Sequence, residues 1–166
     1  MFLVDKKQFK TGHVIKIRSV WSLISPKPIW HYGVVVGYDD VVHFNLNVDI
    51  AKITIIRTDL KQFKGIGTSL QICSMSEFHK KYDEEEIVKR AISAVGTDFG
   101  GYNLLHNNCE HFANWCVSGE KFCNQLPFNE GTNHTLPRKV FDKTILEPCV
   151  KYAELIEDLL PELLEE

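Results

Sequence analysis

Apolar residues alternate along the first half of the chain and recur at helical spacing along the second. His13-Val-Ile-Lys-Ile-Arg18 alternates after a Thr-Gly turn, and Ser25-Pro-Lys-Pro28 breaks the pattern. His31 to Val36 is apolar and β-branched, and Val41 to Phe44 resembles it. Gly37-Tyr-Asp-Asp40 between them is a turn, so the pair is predicted to form a hairpin. Lys52 to Arg57 and Ser69 to Cys73 are further short strands. Beyond them Asp83 stands three residues before Glu86, a capping box. Ile87, Val88, Ala91, Ile92 and Val95 then form an apolar face that ends at Gly96. A second helix starts after Asn107, its expected N-cap, with Glu110 at the third position. Phe112, Ala113, Trp115 and Cys116 form its apolar side and Gly119 its end. Residues 124–139 have the proline and glycine content of a loop. Residues 148–166 carry leucines at helical spacing among acidic residues, an amphipathic helix interrupted by Pro161. The pattern predicts an α+β domain over residues 1–140, an antiparallel β-sheet packed with helices. An acidic helical tail over 141–166 either packs on the domain or binds a protein partner.

Composition narrows the function classes. With 166 residues, 44% hydrophobic and 25% charged, the chain suits one globular domain. A net charge of −3, with basic residues scattered, gives no electrostatic case for nucleic acid. The apolar start Met1–Val4 is too short for a signal peptide, and no apolar run reaches the roughly 18 residues of a transmembrane segment. A cytoplasmic location is the default expectation, with peripheral membrane contact where a lipid substrate demands it. Five cysteines, none in C-x-x-C spacing, suggest reduced core thiols rather than a metal or redox site. Cys109, Cys116 and Cys123 recur every seven residues, the spacing of one buried helical stripe. No metal or organic cofactor is indicated.

Cys109 is the exception among the thiols. In the first turn of a helix the N–H groups are unpaired and the dipole is positive, which favours the thiolate and can hold an oxyanion. Asn107 and Asn108 are the cap and oxyanion candidates. A base must come from elsewhere. His111 lies two residues along the helix, roughly 200° around it, and points away; His106 lies outside the helix. His31 and His43 sit on the two arms of the hairpin. With the turn centred on Tyr38, His43 faces Gly33, and the histidines become diagonal neighbours on one face roughly 7–8 Å apart at the backbone. A slip of one residue would separate them. Nucleophile, base and orienting group are the parts of covalent catalysis, although spacing alone leaves two unrelated histidines as an alternative.

Two blocks carry a family resemblance. Trp30-His31-Tyr32-Gly33-Val34-Val35-Val36-Gly37 with Val42-His43-Phe44, and Tyr102 to Trp115 around Asn108-Cys109-Glu110-His111-Phe112, resemble the histidine and cysteine blocks of the lecithin:retinol acyltransferase family. The resemblance spans roughly residues 11–119. It implies a circularly permuted NlpC-type, papain-like fold with Cys109 as nucleophile, His31 as base and His43 as third polar residue. The implied activity is that of an acyltransferase or phospholipase A that takes an acyl group from a glycerophospholipid through a cysteine thioester. Trp30, Tyr32, Gly33 and Tyr38 are the substrate-lining candidates, Gly33 leaving room beside the base. Two alternatives remain open. The 2A proteins of some picornaviruses share the histidine-box and Asn-Cys pattern and suggest a host-interaction module with little or no catalysis. A cysteine peptidase or thioesterase would use the same thiol–imidazole chemistry.

Overall fold

The computed structural model describes residues 9–19, 29–47, 52–65, 70–74, 78–103 and 106–125. The expected acidic tail, the loop beyond residue 125 and Cys149 lie outside the described residues. In chain order the elements are β1 (Val14–Arg18), β2 (Trp30–Val35), β3 (Asp40–Asn47), β4 (Lys52–Asp59), α1 (Leu60–Lys64), β5 (Gln71–Ile72), α2 (Glu84–Ser93) and α3 (Cys109–Ser118). The strands form one antiparallel sheet in the order β4-β3-β2-β1-β5. The histidine-bearing strands precede the cysteine-bearing helix, the α+β arrangement expected above.

Alternation decides what each face of the sheet buries. Val14, Tyr32, Val34, Val42, Phe44 and Ile55 pack with Ile87 and Ala91 of α2 and with Phe112, Ala113, Cys116 and Val117 of α3. Ile15, Ile17, Val35 and Val41 face the other way and pack with Leu60 and Phe63 of α1. Helix α1 was not foreseen. It starts at Asp59, whose carboxylate accepts the Gln62 N–H while the Gln62 side chain accepts the Asp59 N–H. That reciprocal cap stabilises five residues too short to form a helix alone.

The hairpin register matches its expectation. Val34 pairs with Val42 and Val35 with Val41, which centres the turn on Tyr38 and sets Gly33 opposite His43. Strand β4 runs two residues past the predicted end at Arg57, and β5 keeps two of the five residues predicted from Ser69 to Cys73. Helix α2 is capped by Asp83 as expected but ends at Ser93, short of Gly96. The cause is the main chain of Ile55, which accepts the Gly96 N–H and donates to the Thr97 carbonyl, drawing the chain out of the helix. Ile92 and Val95 are exposed, and the buried stripe is Ile87 and Ala91.

Helix α3, whose apolar side in the sequence is Phe112, Ala113, Trp115 and Cys116, is buried nearly all round: of its ten residues only Trp115 is partly exposed. Its polar side chains therefore need internal partners. Arg90 of α2 lies over the Trp115 ring, 4.1 Å from its centre, and donates to the Trp115 carbonyl at 3.2 Å, holding α2 against α3. Cys109 and Cys116 lie on this helix, but Cys123 lies five residues past its end; all three are buried, though not as one helical stripe.

Candidate functional site

Strand β2 bonds β1 along its whole length, from Val14–Val34 to Arg18–Trp30, but meets β3 only at Val34 and Val35. Below Gly33 the two strands part. The Ser19 N–H donates to the Ile29 carbonyl, so the main-chain groups of Trp30, one residue on, point away from β1 and into the gap. Gln125 fills the place of a neighbouring strand: its Oε1 accepts the Trp30 N–H at 2.5 Å and its Nε2 donates to the Trp30 carbonyl at 3.1 Å. The Cys109 thiol points at the same carbonyl, with Sγ 3.8 Å from it, and the Tyr32 N–H points at the thiol. The gap in the sheet is thus where the sulfur sits, against the main chain on either side of His31.

Cys109 is the first residue of α3. The cap is Asn108, one residue later than expected; its side chain accepts the N–H of Glu110 at 2.9 Å and of His111 at 3.3 Å. Asn107 is drawn away from the cap by a two-way main-chain bridge to Asn103, and its Nδ2 donates to the carbonyls of Phe99 and Gly101. Asn107 pins the preceding loop, while Asn108 caps the start of the helix. His111 turns back on Asn108, whose N–H donates to His111 Nδ1 at 3.2 Å, and it serves the cap as its helical position suggested. His106 is exposed.

The helix start does not ionise the thiol. Main-chain N–H groups of Tyr32, Glu110 and Cys109 itself favour the thiolate, but burial outweighs them and pushes the Cys109 thiol up to about 12. The expectation from the helix terminus is corrected on this point: Cys109 is only 6% exposed, and desolvation of an anion exceeds the attraction of a few peptide dipoles.

The two histidines meet as the hairpin register required. His31 Nε2 lies 2.9 Å from His43 Nδ1. Both rings pack on Phe63 of α1, His31 stacked at 5.3 Å and His43 edge-on at 4.9 Å between ring centres. Gly33 makes this possible: a Cβ there would stand 2.5 Å from Val41 Cγ1 and 2.7 Å from Phe63 Cε2. Burial holds His31 down to about 4. His43 falls well below its ordinary value, first through burial and then through repulsion from a charged His31. At neutral pH the pair is uncharged, and neutral imidazole is the form that can accept a proton.

Three contributors had no sequence signal strong enough to find them. Thr58 Oγ1 lies 2.9 Å from His43 Nε2, completing a chain from β4 through β3 to β2. Phe63 floors the pair; Asp59-x-x-Gln62, a capping box in the sequence, was the clue to its helix. Gln125 is placed by Glu110, which is buried and accepts the N–H groups of Asn124 and Gln125 and the thiol proton of Cys123. Among the lining candidates, Trp30 meets the thiol through its carbonyl and has Lys16 over its ring. The Tyr32 ring packs in the core against Phe78, and Tyr38 projects from the turn at the other end of the strands. Among the described residues no three His, Cys, Asp or Glu side chains cluster as metal ligands would.

Comparison with known proteins places the chain among named relatives. The human protein "Lecithin retinol acyltransferase" is 27% identical over 125 residues, covering 56% of this chain and 54% of its own length. The rat protein of the same name is 27% identical over 114 residues, covering 54% of this chain and 48% of its own. The chain thus spans about half the length of these curated relatives. The family model described as "Lecithin retinol acyltransferase" matches residues 7–122, which take in all five strands, the three helices, both histidines and Cys109: the chain belongs to the lecithin retinol acyltransferase family.

Proposed function

We propose that this protein is a thiol-dependent acyltransferase or phospholipase A that acts on glycerophospholipid esters. The observation that carries this reading is the 2.9 Å contact between His31 and His43, beside a cysteine held against the strand that bears His31. Family membership supports the acyl chemistry, and the name of the relatives supplies lecithin as the donor to test first.

Because His31 Nε2 is engaged by His43, Nδ1 is the nitrogen left for the thiol. The reaction starts with a neutral thiol and a neutral imidazole, so proton transfer accompanies attack rather than preceding it. Cys109 Sγ bonds to the ester carbonyl carbon as its proton passes to His31 Nδ1. The carbonyl oxygen becomes an oxyanion, for which the Cys109 N–H at the start of α3 is the nearest donor unpaired within the helix. Collapse breaks the ester C–O bond, and the imidazolium returns its proton to the departing lysophospholipid oxygen, leaving a Cys109 thioester. Water, or an acceptor hydroxyl or amine deprotonated by His31, then takes the acyl group and regenerates the thiol. Trp30, beside the sulfur, and Gly33, under the imidazoles, line the approach in this scheme. No described helix is long and apolar enough to cross a membrane.

The test is release of lysophospholipid and fatty acid from phosphatidylcholine, presented once as short-chain monomer and once in vesicles. Release is expected to vanish in Cys109→Ala and to fall at least a hundredfold in His31→Ala, the range of a general base. Turnover unaffected by either change would sink the proposal. Cleavage of peptides or of acyl thioesters alone, with phosphatidylcholine untouched, would turn it to the peptidase or thioesterase alternative.

A further inference from the structure

Two neutral imidazoles in contact have an ambiguity that a carboxylate partner would not have. Each ring carries one proton and two nitrogens, so the contact between His31 Nε2 and His43 Nδ1 can be made in either direction. If His31 Nε2–H donates, His31 Nδ1 holds a lone pair. If His43 Nδ1–H donates, His31 must carry its proton on Nδ1, where it cannot accept one from Cys109. Something beyond the pair has to choose: the Phe44 main chain also bonds His43, and the side chain in place to act is a hydroxyl on the next strand. Thr58 sits opposite Val41 in the β3–β4 ladder and therefore diagonal to His43 on the same face. Its Oγ1 is 2.9 Å from His43 Nε2.

We propose that Thr58 is a positioning residue of this site: its hydroxyl oxygen accepts the Nε2 proton of His43, so that His43 Nδ1 accepts from His31 Nε2–H and His31 Nδ1 is left to take the proton of Cys109. The inference rests on the reading of His31 as the base of Cys109. The hydrogens of Thr58, His43 and His31 are mutually consistent along this chain. Thr58 is half-buried, and its own hydroxyl proton can turn to solvent while its oxygen accepts. His43 Nε2 donates, Nδ1 accepts, and the same holds for His31. When His31 gains the thiol proton it does so at Nδ1, and neither ring has to rearrange. The resulting imidazolium keeps its Nε2–H on a neutral acceptor. Thr58 thus does through a neutral hydroxyl part of what a buried carboxylate does in cysteine and serine triads, orienting the base without adding a charge beside it.

The test uses the full chain, and its first part needs no lipid. In protein labelled with nitrogen-15 at histidine, both His31 and His43 are expected as the Nε2–H tautomer. Thr58→Val keeps the shape of the side chain and removes the acceptor. It is expected to move His43 toward the Nδ1–H form and to slow alkylation of Cys109 by iodoacetamide at pH 7 about tenfold, the worth of one neutral hydrogen bond. Thr58→Ser restores both readings. In the phosphatidylcholine assay the loss falls on kcat, with KM unchanged. Wild-type His31 found as the Nδ1–H tautomer overturns the proposal, as does a folded Thr58→Val protein with unaltered tautomers and alkylation. If Thr58→Val fails to fold, the wild-type and Thr58→Ser spectra decide alone. Tautomers as expected in a protein that does not turn over phospholipid would leave Thr58 in this role and overturn the proposed activity instead.

Discussion

Gly33→Ala is the smallest change that tests how the histidine pair is built. Gly33 has no left-handed backbone conformation to protect, so the effect of the added methyl is steric. Its Cβ would lie 2.5 Å from Val41 Cγ1, 2.7 Å from Phe63 Cε2 and 3.1 Å from Phe63 Cζ. Carbon atoms pack at about 3.5–4.0 Å, so two neighbours must each retreat by about 1 Å. Val41 is a fully buried strand residue and has nowhere to go. Phe63 must move, and with it the surface on which both imidazoles rest. Overpacking of this kind costs about 1–3 kcal/mol, which for a chain of this size lowers Tm by about 2–12 °C. The assay is thermal unfolding of wild type and variant, paired with the rate of Cys109 alkylation at pH 7. Both are expected to fall. Adding Phe63→Leu to Gly33→Ala should recover part of the stability by vacating the ring's space, but not the alkylation rate, because the ring that orients the histidines is gone. A Gly33→Ala protein with wild-type Tm and wild-type Cys109 reactivity would refute the reasoning.

The protonation states yield two pH predictions. With the Cys109 thiol pushed up to about 12, the unassisted alkylation rate in His31→Gln should rise tenfold per pH unit from pH 7 to 10 with no plateau; a plateau beginning near neutrality in that variant would show a preformed thiolate. His31 has its folded value lowered to about 4 from 6.5, so on acidification the unfolded chain binds its proton first. Stability is complete above about pH 6.5 and falls as pH drops from there to about 4, with buried His43 acting in the same direction. Urea midpoints taken between pH 7 and 4 measure this fall, and His31→Gln should flatten it. Glu110→Ala leaves the N–H groups of Asn124 and Gln125 without their acceptor and should cost about 2–4 kcal/mol in urea unfolding, with loss of protection at the Trp30 amide in hydrogen exchange as Gln125 is released.

The histidine pair was legible because β-structure has a strict period. Placing the turn at Tyr38 fixed which residues share a face, and both the register and the contact followed. The cysteine helix was legible to within one residue, since both Asn107 and Asn108 have capping side chains; the bridge from Asn103 to Asn107 chose between them, a contact no local pattern announces. The ionisation of Cys109 was misjudged for a different reason. A helix terminus is a local feature, whereas desolvation depends on everything packed around the sulfur, including Trp30 from seventy-nine positions upstream. Thr58 was hidden because its role depends on the pairing of β3 with β4, and the predicted strand ended one residue before it. Gln125 was hidden because its place is set by a buried carboxylate fifteen residues upstream.

The central claim is that Cys109 takes an acyl group from a phospholipid with His31 as its base. Intact mass spectrometry after brief mixing with phosphatidylcholine tests it most directly. The predicted result is a gain of one acyl group in place of one hydrogen, mapped to the Cys109 peptide, cleaved by neutral hydroxylamine and matched by an equal amount of lysophosphatidylcholine. The adduct should be absent in Cys109→Ala and slow to form in His31→Gln. Lysophosphatidylcholine released without any acyl group on Cys109, or an unmodified protein that releases none, would contradict the account.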